Sequence, residues 1–383
     1  MVILPATLGL LSLGSLTYVA FSIFRVAMFG RRAAARDVEL PPLTVLKPVC
    51  GLDAELYENL RSFCVQDYPD YQVLFGAAEA DDPAVPVVRR LIEEFPGRDI
   101  ALVIDSHQIG SNRKVSNIAN SYEQARHDLL VIADSDMRVD AGYLREVAGT
   151  FADEKTGAVT CLYKGRPANP DLASQLGSAF INEWFLPSVL VAAAFQDIRY
   201  CFGATMAVRR DVLERIGGFP VLATVLADDY ALGKLVSDLG YRIELCPYVV
   251  ENVVSEQGMK ALFNHELRWA RTVRSVQPLG YTFSIVTHAL PVCILYLAVT
   301  AASWLSVMAV SAAVSLRVLM QYVSRRSLHV RDPLRPWLVP ARDLLSFAVW
   351  TASFFGNSVS WRRHSFTVDN SGQILLNEQK EIL

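Results

Sequence analysis

The sequence predicts an α/β domain with a mostly parallel, Rossmann-like sheet, flanked by helices that cross a membrane. Between residues 40 and 280, short apolar runs alternate with helical patterns, as in mostly parallel sheets. One run, residues 129–133, ends at Asp134-Ser135-Asp136, and such sheets bind ligands at the carboxyl ends of their strands. Long apolar stretches lie near both ends of the 383-residue chain, which has a high mean hydropathy of +0.27.

The first predicted element is a membrane anchor within residues 1–30. Residues 2–24 carry no charge before Arg25, and this length suffices to cross a bilayer core of about 30 Å. The stretch is too long for the apolar core of a signal peptide. Four arginines follow, at positions 25, 31, 32 and 36, and by the positive-inside tendency they place the next domain in the cytoplasm.

The second element is the α/β domain, residues 40–280. We expect strands at 43–46, 71–77, 100–105, 129–133 and 158–163, and helices at 52–65, 83–94, 114–126 and 143–151. The domain contains neither a Gly-x-Gly-x-x-Gly dinucleotide motif nor a P-loop. The sequence therefore predicts a nucleotide fold that holds phosphates through a metal ion.

The third element is a membrane region over residues 281–361, followed by a tail at 362–383. Residues 283–323 have room for two spans with a turn near 301–304. Residues 337–361 are also apolar but contain Arg342 and Asp343, and charges at mid-bilayer are costly. This last segment is predicted to be a third span or a re-entrant hairpin.

Composition excludes some functions. A net charge of −3 without basic-aromatic clusters argues against nucleic-acid binding. The six cysteines form no C-x-x-C pair, which favours reduced core thiols.

The acids after residues 129–133 form the central candidate site. Asp134 and Asp136 are hard oxygen ligands on alternate residues, and such a pair can share one divalent cation that holds a diphosphate. The pattern Asp-x-Asp also occurs by chance in surface loops. Its position after a core strand favours a metal site that helps a nucleoside diphosphate to leave.

Three other groups of residues carry possible binding or catalytic chemistry. Asp81 and Asp82 close a strand, where an acid can accept hydrogen bonds from a base or ribose, or can cap the following helix. Lys114 lies in a Gly-led loop entering a helix, a position that attracts phosphate. Asp228 and Asp229 open a helix, where the helix dipole alone favours acids, and where a carboxylate can act as general base.

The last candidates lie on an amphipathic helix just before the membrane region. Arg268 and Trp269 are either interfacial anchors or, respectively, a diphosphate counter-charge and a wall for the sugar or acceptor. His265 precedes Glu266, but the second histidine of His-Glu-x-x-His is missing, which excludes zinc-protease chemistry.

Taken together, the motifs resemble a known family. They occur in the order TVLKPVCGLDAELYENLRSFCVQDYPDYQVLFGAAEADDP, GSNRKVSNI, DSD, CFGATMAVRRDVLERIGGF, ADDYALG and HELRW. This order resembles the ceramide-glucosyltransferase-type inverting glycosyltransferases, which have the GT-A fold, and among them the bacterial hopanoid-biosynthesis-associated glycosyltransferases. The likeness covers residues 40–280 and the flanking spans.

The resemblance implies a role for each candidate. Asp82, with Asp81 beside it, would contact the uridine of a UDP-sugar, and Asp134 and Asp136 would hold Mg²⁺ or Mn²⁺ on its diphosphate. Asp229 would be the general base, with Asp228 before it. Arg268 and Trp269 match the end of the family's Gln/Arg-x-x-Arg-Trp motif, whereas His265 departs from its first position.

The predicted function is therefore that of a multi-pass enzyme of the bacterial inner membrane with a cytoplasmic catalytic domain. It would transfer N-acetylglucosamine from a UDP-sugar to a lipid hydroxyl, with a hopanoid such as bacteriohopanetetrol as preferred acceptor. Ceramide glucosylation from UDP-glucose is the nearest alternative. A processive polysaccharide synthase would need more spans, and a catalytically inactive membrane scaffold is an alternative of another class.

Overall fold

A computed structural model describes residues 3–31, 40–356, 358–361, 364–368 and 374–376. The helices are α1 Ile3–Phe29, α2 Leu56–Cys64, α3 Ala84–Glu94, α4 Arg113–Tyr122, α5 Tyr143–Gly149, α6 Leu172–Phe180, α7 Leu186–Phe195, α8 Arg210–Arg215, α9 Asp228–Asp238, α10 Met259–Val276, α11 Pro278–Phe283, α12 Ala289–Val299, α13 Trp304–Ser327 and α14 Leu338–Ser353. The strands are β1 Leu43–Pro48, β2 Tyr71–Ala77, β3 Asp99–Ile104, β4 Leu129–Ile132, β5 Met137–Arg138, β6 Thr156–Pro167, β7 Met206–Arg209, β8 Arg242–Val254, β9 Ser358–Trp361, β10 His364–Val368 and β11 Ile374–Leu376.

The chain divides into two compact units. The sheet unit comprises residues 33–164 and 197–255, and the helical unit comprises residues 1–32, 165–196 and 256–383. The predicted domain at 40–280 is thus not one unit, since residues 165–196 and 256–280 belong to the helical unit. Long-range packing between these segments and the terminal helices produces this division, and it has no local signal in the sequence.

The sheet unit is built on an eight-stranded sheet of order β3-β2-β1-β4-β7-β6-β8-β5. The half formed by β3, β2, β1 and β4 is parallel, as predicted. The pairs β4-β7, β6-β7 and β5-β8 are antiparallel, so the sheet is mixed. The carboxyl ends of the four parallel strands meet at one edge of the sheet, and this edge carries the acids expected from the sequence.

Alternate residues of the central strands supply two separate cores. On β1, Leu43 and Val45 join one hydrophobic cluster, whereas Leu46 joins the other. On β4, Val131 and Ile132 are divided in the same way, and all five side chains are at most 1% exposed. Burial on both faces explains why these strands appear in the sequence as continuous apolar runs.

The helical unit contains three helical segments long and apolar enough to cross a membrane, among the described residues. They are α1, α13 and the stretch Leu172–Phe195. A fourth candidate is the pair Pro278–Thr287 and Ala289–Val299, bent by 67°. Residues 172–195 were not among the spans expected from the sequence, because they lie inside the segment assigned to the α/β domain. The turn expected near 301–304 is present, with φ of 48° at Ala301 and 59° at Ala302.

The charges of α14 are buried but paired. Arg342 makes two hydrogen bonds to Glu266, and Asp343 receives two from Arg317. This pairing is the physical reason that an apolar segment tolerates both charges. The expected tail at 362–383 is only partly described; β10 and β11 form a three-stranded antiparallel sheet with β9.

Candidate active site

Asp134 and Asp136 follow β4 at the carboxyl edge of the parallel strands. The Lys47 ammonium, fully buried on β1, donates to the backbone carbonyl oxygen of Asp134 at 2.5 Å. The Asp136 carboxylate accepts from Asn252 Nδ2 at 2.8 Å. Burial and the neighbouring charge of Asp134 raise the pKa of Asp136 to about 7, and burial lowers the pKa of Lys47 to about 7. The acids predicted as metal ligands are therefore held in a fixed loop.

Lys114 connects this loop to the start of α9. Its Nζ lies 2.8 Å from Asp134 Oδ1 and 3.3 Å from Asp228 Oδ2. Burial opposes the charge of Lys114, but Asp134, Asp228 and Asp229 together outweigh burial and raise the pKa of its ammonium. The fold thus brings together four of the residues named from the sequence, which lie in three separate segments of the chain.

The loop before α4 places Lys114. The Asn112 side chain caps α4 by accepting from the Val115 backbone N–H at 3.2 Å, and its Nδ2 donates to the Val225 carbonyl at 2.8 Å. A Cβ on Gly110 would lie 2.4 Å from the Ala223 carbonyl oxygen, so only glycine allows this close approach. The approach holds the beginning of α4 against the segment that leads into α9.

Asp229 lies in the first turn of α9 with both carboxylate oxygens oriented by backbone groups. Oδ2 accepts from the Gly203 N–H at 2.9 Å and Oδ1 accepts from the Tyr230 N–H at 2.8 Å. Burial, followed by the negative charge of Asp228, raises the pKa of Asp229 to about 6. A carboxylate with this pKa is ionised at neutral pH and still basic enough to accept a proton.

Gly203 brings the backbone close to the acid cluster. A Cβ at this position would lie 2.7 Å from Asp134 Oδ2 and 3.5 Å from Lys114 Nζ. The glycine therefore allows one backbone N–H to reach Asp229 while its Cα lies beside Asp134. Gly203 lies in the sequence motif CFGAT. Nothing in that motif marks the glycine as a residue of the site.

The acid cluster is chemically suited to a divalent cation. Asp134 and Asp136 supply the carboxylate oxygens that Mg²⁺ and Mn²⁺ prefer, and Asp134 already attracts the Lys114 ammonium. Among the described residues, no group of three or more His, Cys, Asp or Glu side chains is arranged as a metal site. Two protein carboxylates with further oxygens from a diphosphate are a common arrangement for Mg²⁺, so the residues present fit the ion.

Asp82 lies at the same edge, after β2, and Asp81 beside it is exposed. Asp82 Oδ1 accepts from the Ala84 N–H at 2.8 Å, which caps the first turn of α3, and from the Gly51 N–H at 2.8 Å. The capping function considered from the sequence is therefore present. Contact with a uridine stays a prediction.

His265, Arg268 and Trp269 all lie on α10, in the helical unit. The His265 ring hydrogen-bonds with Glu256 and lies edge-on to Trp269, with 4.3 Å between ring centroids. The Trp269 ring also stacks on Phe180 at 6.0 Å. These three residues of the HELRW motif belong to the helical unit, whereas the acid cluster belongs to the sheet unit.

Sequence reasoning missed several residues that support the acids. Lys47 and Asn252 contact them directly, and Asp53 Oδ2 accepts from the Ser135 hydroxyl at 2.5 Å. A lysine within the apolar run TVLKP was the one available signal, because an unpaired buried ammonium is too costly to be accidental.

A family model described as glycosyl transferase family 21 matches residues 7–374, which is nearly the whole chain. The chain belongs to this family. Ceramide glucosyltransferase 3 of Caenorhabditis elegans is 27% identical over 241 residues, covering 61% of this chain and 51% of that protein. Ceramide glucosyltransferase 1 of the same organism is 27% identical over 265 residues, covering 67% and 54%. The family 21 chain therefore spans about half the length of these curated relatives.

A solved structure confirms the fold. The mannosyltransferase PcManGT from Pyrobaculum calidifontis, in complex with GDP-Man and Mn²⁺, is similar with a TM-score of 0.53 at 21% identity. The likeness covers 92% of this chain and 99% of that one. The predicted fold class, a GT-A glycosyltransferase domain with flanking apolar helices, is thereby confirmed. The family model and the curated relatives confirm the resemblance to the ceramide-glucosyltransferase-type family. A special closeness to the hopanoid-associated members is not shown.

Proposed function

We propose that this family 21 protein is a membrane-bound inverting glycosyltransferase that moves a hexose from a UDP-sugar to the hydroxyl of a membrane lipid. The observation that carries the proposal is Asp229, a half-buried carboxylate that two backbone N–H groups orient beside the acid cluster. The names of the curated relatives support transfer of a sugar to a lipid alcohol. The apolar helices support a membrane location.

Asp229 would act as the general base. It takes the proton from the lipid hydroxyl as that oxygen forms a bond to the anomeric carbon of the sugar. The bond from this carbon to the diphosphate oxygen breaks, and UDP leaves with the electron pair. A single displacement of this kind inverts the configuration at the sugar carbon.

The remaining residues of the cluster would receive the diphosphate. A divalent cation on Asp134 and Asp136 would neutralise charge on the departing group. Lys114 would exchange part of its contact with Asp134 for a phosphate oxygen, since its ammonium lies beside the same acid. Asp82 and its neighbour Asp81 would contact the uridine of the donor. The diphosphate and the sugar would be contacted by His265, Arg268 and Trp269.

The acceptor and the sugar are chosen by comparing the curated relatives with the sequence motifs. The names of the curated relatives favour ceramide and glucose over the hopanoid and N-acetylglucosamine expected from the sequence motifs. A bacterial inner membrane is proposed from the resemblance to the hopanoid-associated glycosyltransferases. The arginines at positions 25, 31, 32 and 36 support a sheet unit in the cytoplasm. Offering both donors and both lipids in one assay tests these choices.

The decisive experiment measures transfer of labelled sugar in membranes that contain the full chain, with Mg²⁺ or Mn²⁺. Replacement of Asp229 by asparagine keeps the shape and removes the base, and should lower transfer by about 10²–10⁴-fold. Asp238→Asn is a matched control, because Asp238 lies on the same helix and is exposed. Equal transfer by the Asp229→Asn and wild-type proteins would reject Asp229 as base, and no transfer to any lipid would favour the scaffold alternative.

A further inference from the structure

A fully buried threonine holds the chain segment that leads into β7. Thr160 lies on β6 and is 0% exposed. It pairs with Met206, and this pair is the last one of the antiparallel ladder between β6 and β7. Beyond this pair, the Thr160 side chain bonds to residues 202–205, which precede β7.

Residues 202–205 form a tight turn that Thr160 fixes to β6. The Thr205 N–H donates to the Phe202 carbonyl oxygen at 3.0 Å and closes the turn. Thr160 Oγ1 accepts from the Phe202 N–H at 2.8 Å and donates to the Thr205 carbonyl oxygen at 2.8 Å. One hydroxyl therefore bonds to both ends of the turn, since a hydroxyl donates and accepts at the same time.

The same turn is also bonded to the first turn of α9, where Asp229 lies. The Gly203 N–H donates to Asp229 Oδ2 at 2.9 Å, and the N–H of Cys201, just before the turn, donates to the Asp229 carbonyl oxygen at 3.2 Å. The position of the turn therefore decides where the Gly203 N–H points. Thr160 thus reaches Asp229 through two hydrogen bonds and the short backbone between them.

The turn has little freedom to move. Thr205 and Tyr143 are both 0% exposed, and their hydroxyl oxygens are 2.9 Å apart. Breaking hydrogen bonds of buried groups is costly, because water does not replace them. The Cα of Gly203 also lies close to the acid cluster, since a Cβ on it would be 2.7 Å from Asp134 Oδ2. The turn is therefore held between β6 and the acids.

We propose that Thr160 is a positioning residue for sugar transfer, because its hydroxyl holds the 202–205 turn where the Gly203 N–H orients the Asp229 carboxylate. Because Thr160 is fully buried, it acts through the turn and not through contact with a substrate. A general base works only when its oxygen lies within hydrogen-bond reach of the proton it accepts, and misplacement lowers the rate of the chemical step. The inference rests on the proposed function in taking Asp229 as the base.

The first test is steady-state transfer by the purified full chain in detergent, with Mn²⁺, labelled UDP-glucose and a ceramide. Thr160→Val keeps nearly the same shape and removes the hydroxyl. We expect kcat to fall about 10-fold or more and KM for UDP-glucose to stay within about 2-fold, because the base is misplaced while the acids that would hold the donor are unchanged. Thr160→Ser keeps the hydroxyl and should restore kcat.

The pH profile adds a measurement that a loss of folded protein would not change. A weaker bond from Gly203 favours the protonated form of Asp229, so the acid limb of kcat/KM should move to higher pH in Thr160→Val. Asp228, Lys114 and Asp134 also influence the pKa of Asp229, and all three are unchanged in this variant. The shift therefore reports on the turn.

Thr156 offers a matched control on the same strand. It is 0% exposed, and its hydroxyl has no hydrogen-bond partner among the described residues. Thr156→Val is thus the same substitution at an equally buried position, without the loss of a bond. It should keep the kcat, KM and pH profile of wild type. Thr160→Ala removes the hydroxyl in a smaller side chain and should lower kcat as Thr160→Val does, so the test does not depend on the folding of one variant.

Hydrogen–deuterium exchange measures the turn without any sugar transfer. Peptides that cover residues 201–206 should exchange about 10-fold faster in Thr160→Val and as in wild type in Thr156→Val. Unchanged exchange in Thr160→Val, or faster exchange with wild-type kcat, would overturn the proposal.

The Asp229→Asn variant separates this inference from the proposed function. Wild-type transfer by Asp229→Asn would reject Asp229 as the base, and the positioning role of Thr160 would be rejected with it. A large loss in Asp229→Asn together with wild-type kcat in Thr160→Val would overturn the role of Thr160 alone and leave the transferase intact.

Discussion

Replacing Glu266 by leucine should severely destabilise the helical unit, because it removes the counter-ion of a fully buried arginine. Arg342 is 0% exposed and donates to both Glu266 oxygens at 2.7 Å. Its other bonds go to the Leu176 carbonyl at 3.0 Å and the Ser346 hydroxyl at 3.1 Å. Neither of these partners carries a charge, so the variant leaves a guanidinium uncompensated in the interior.

The expected cost follows from the burial of the pair. Removing one partner of a buried ion pair typically costs about 3–5 kcal/mol. At about 2–4 °C per kcal/mol for a unit of this size, the thermal midpoint should fall by about 6–20 °C. The double variant Glu266→Leu/Arg342→Met removes both charges and should recover most of the loss, since apolar residues of similar volume often replace a buried pair without cost.

The assay is thermal unfolding of the detergent-solubilised chain, followed by size-exclusion chromatography of heated samples. Asp238→Asn breaks an exposed pair with Lys234 and serves as control; an exposed pair contributes at most about 1 kcal/mol, so the midpoint should barely move. A Glu266→Leu midpoint within about 2 °C of wild type would refute the reasoning on buried charge. A double variant no more stable than Glu266→Leu would show that lost packing, and not the unpaired charge, dominates.

Three further predictions concern the acid cluster. Gly203→Ala should lower transfer by about 10²-fold with little change in thermal midpoint, because its Cβ would displace the carboxylate end of the Asp134 side chain. Gly97→Ala, whose Cβ would have no atom within 4 Å, should be neutral in both measurements. Because burial raises the pKa of Asp229 to about 6 and the base must be ionised, kcat/KM should fall as the pH decreases through about 6, and a pH profile flat down to pH 4.5 would contradict its role. Chelation of divalent cations should abolish transfer, and added Mn²⁺ or Mg²⁺ should restore it in wild type but poorly in Asp136→Asn.

The strands of the sheet unit were predictable because their signal is local. The range expected for the second strand, 71–77, coincides with β2 at Tyr71–Ala77. Burial on both faces requires apolar residues at every position, and such runs are visible in the sequence alone. The acids after β4 could be placed at the ligand-binding edge for the same reason, since a strand's carboxyl end is fixed by chain direction.

The membrane region was harder to predict. Residues 172–195 were assigned to the α/β domain because they lie inside the range 40–280 that contains the strand patterns and the motifs, yet they pack in the helical unit. Arg342 and Asp343 made a membrane span look unfavourable from the local pattern. Their partners Glu266 and Arg317 are 76 and 26 residues away in sequence, so that pattern does not show the ion pairs. A hydropathy pattern reports the cost of a charge but not the counter-ion that offsets it.

The sequence by itself determined the order of elements, the family resemblance and the residue types of the acid cluster, because these follow from local pattern and motif order. The tertiary structure alone decided which groups meet: Lys114 between Asp134 and Asp228, Gly203 beside Asp229, and Thr160 against the turn that contains Gly203. Such contacts join residues far apart in the chain. Their energies come from burial and distance, two quantities that exist only once the chain has folded.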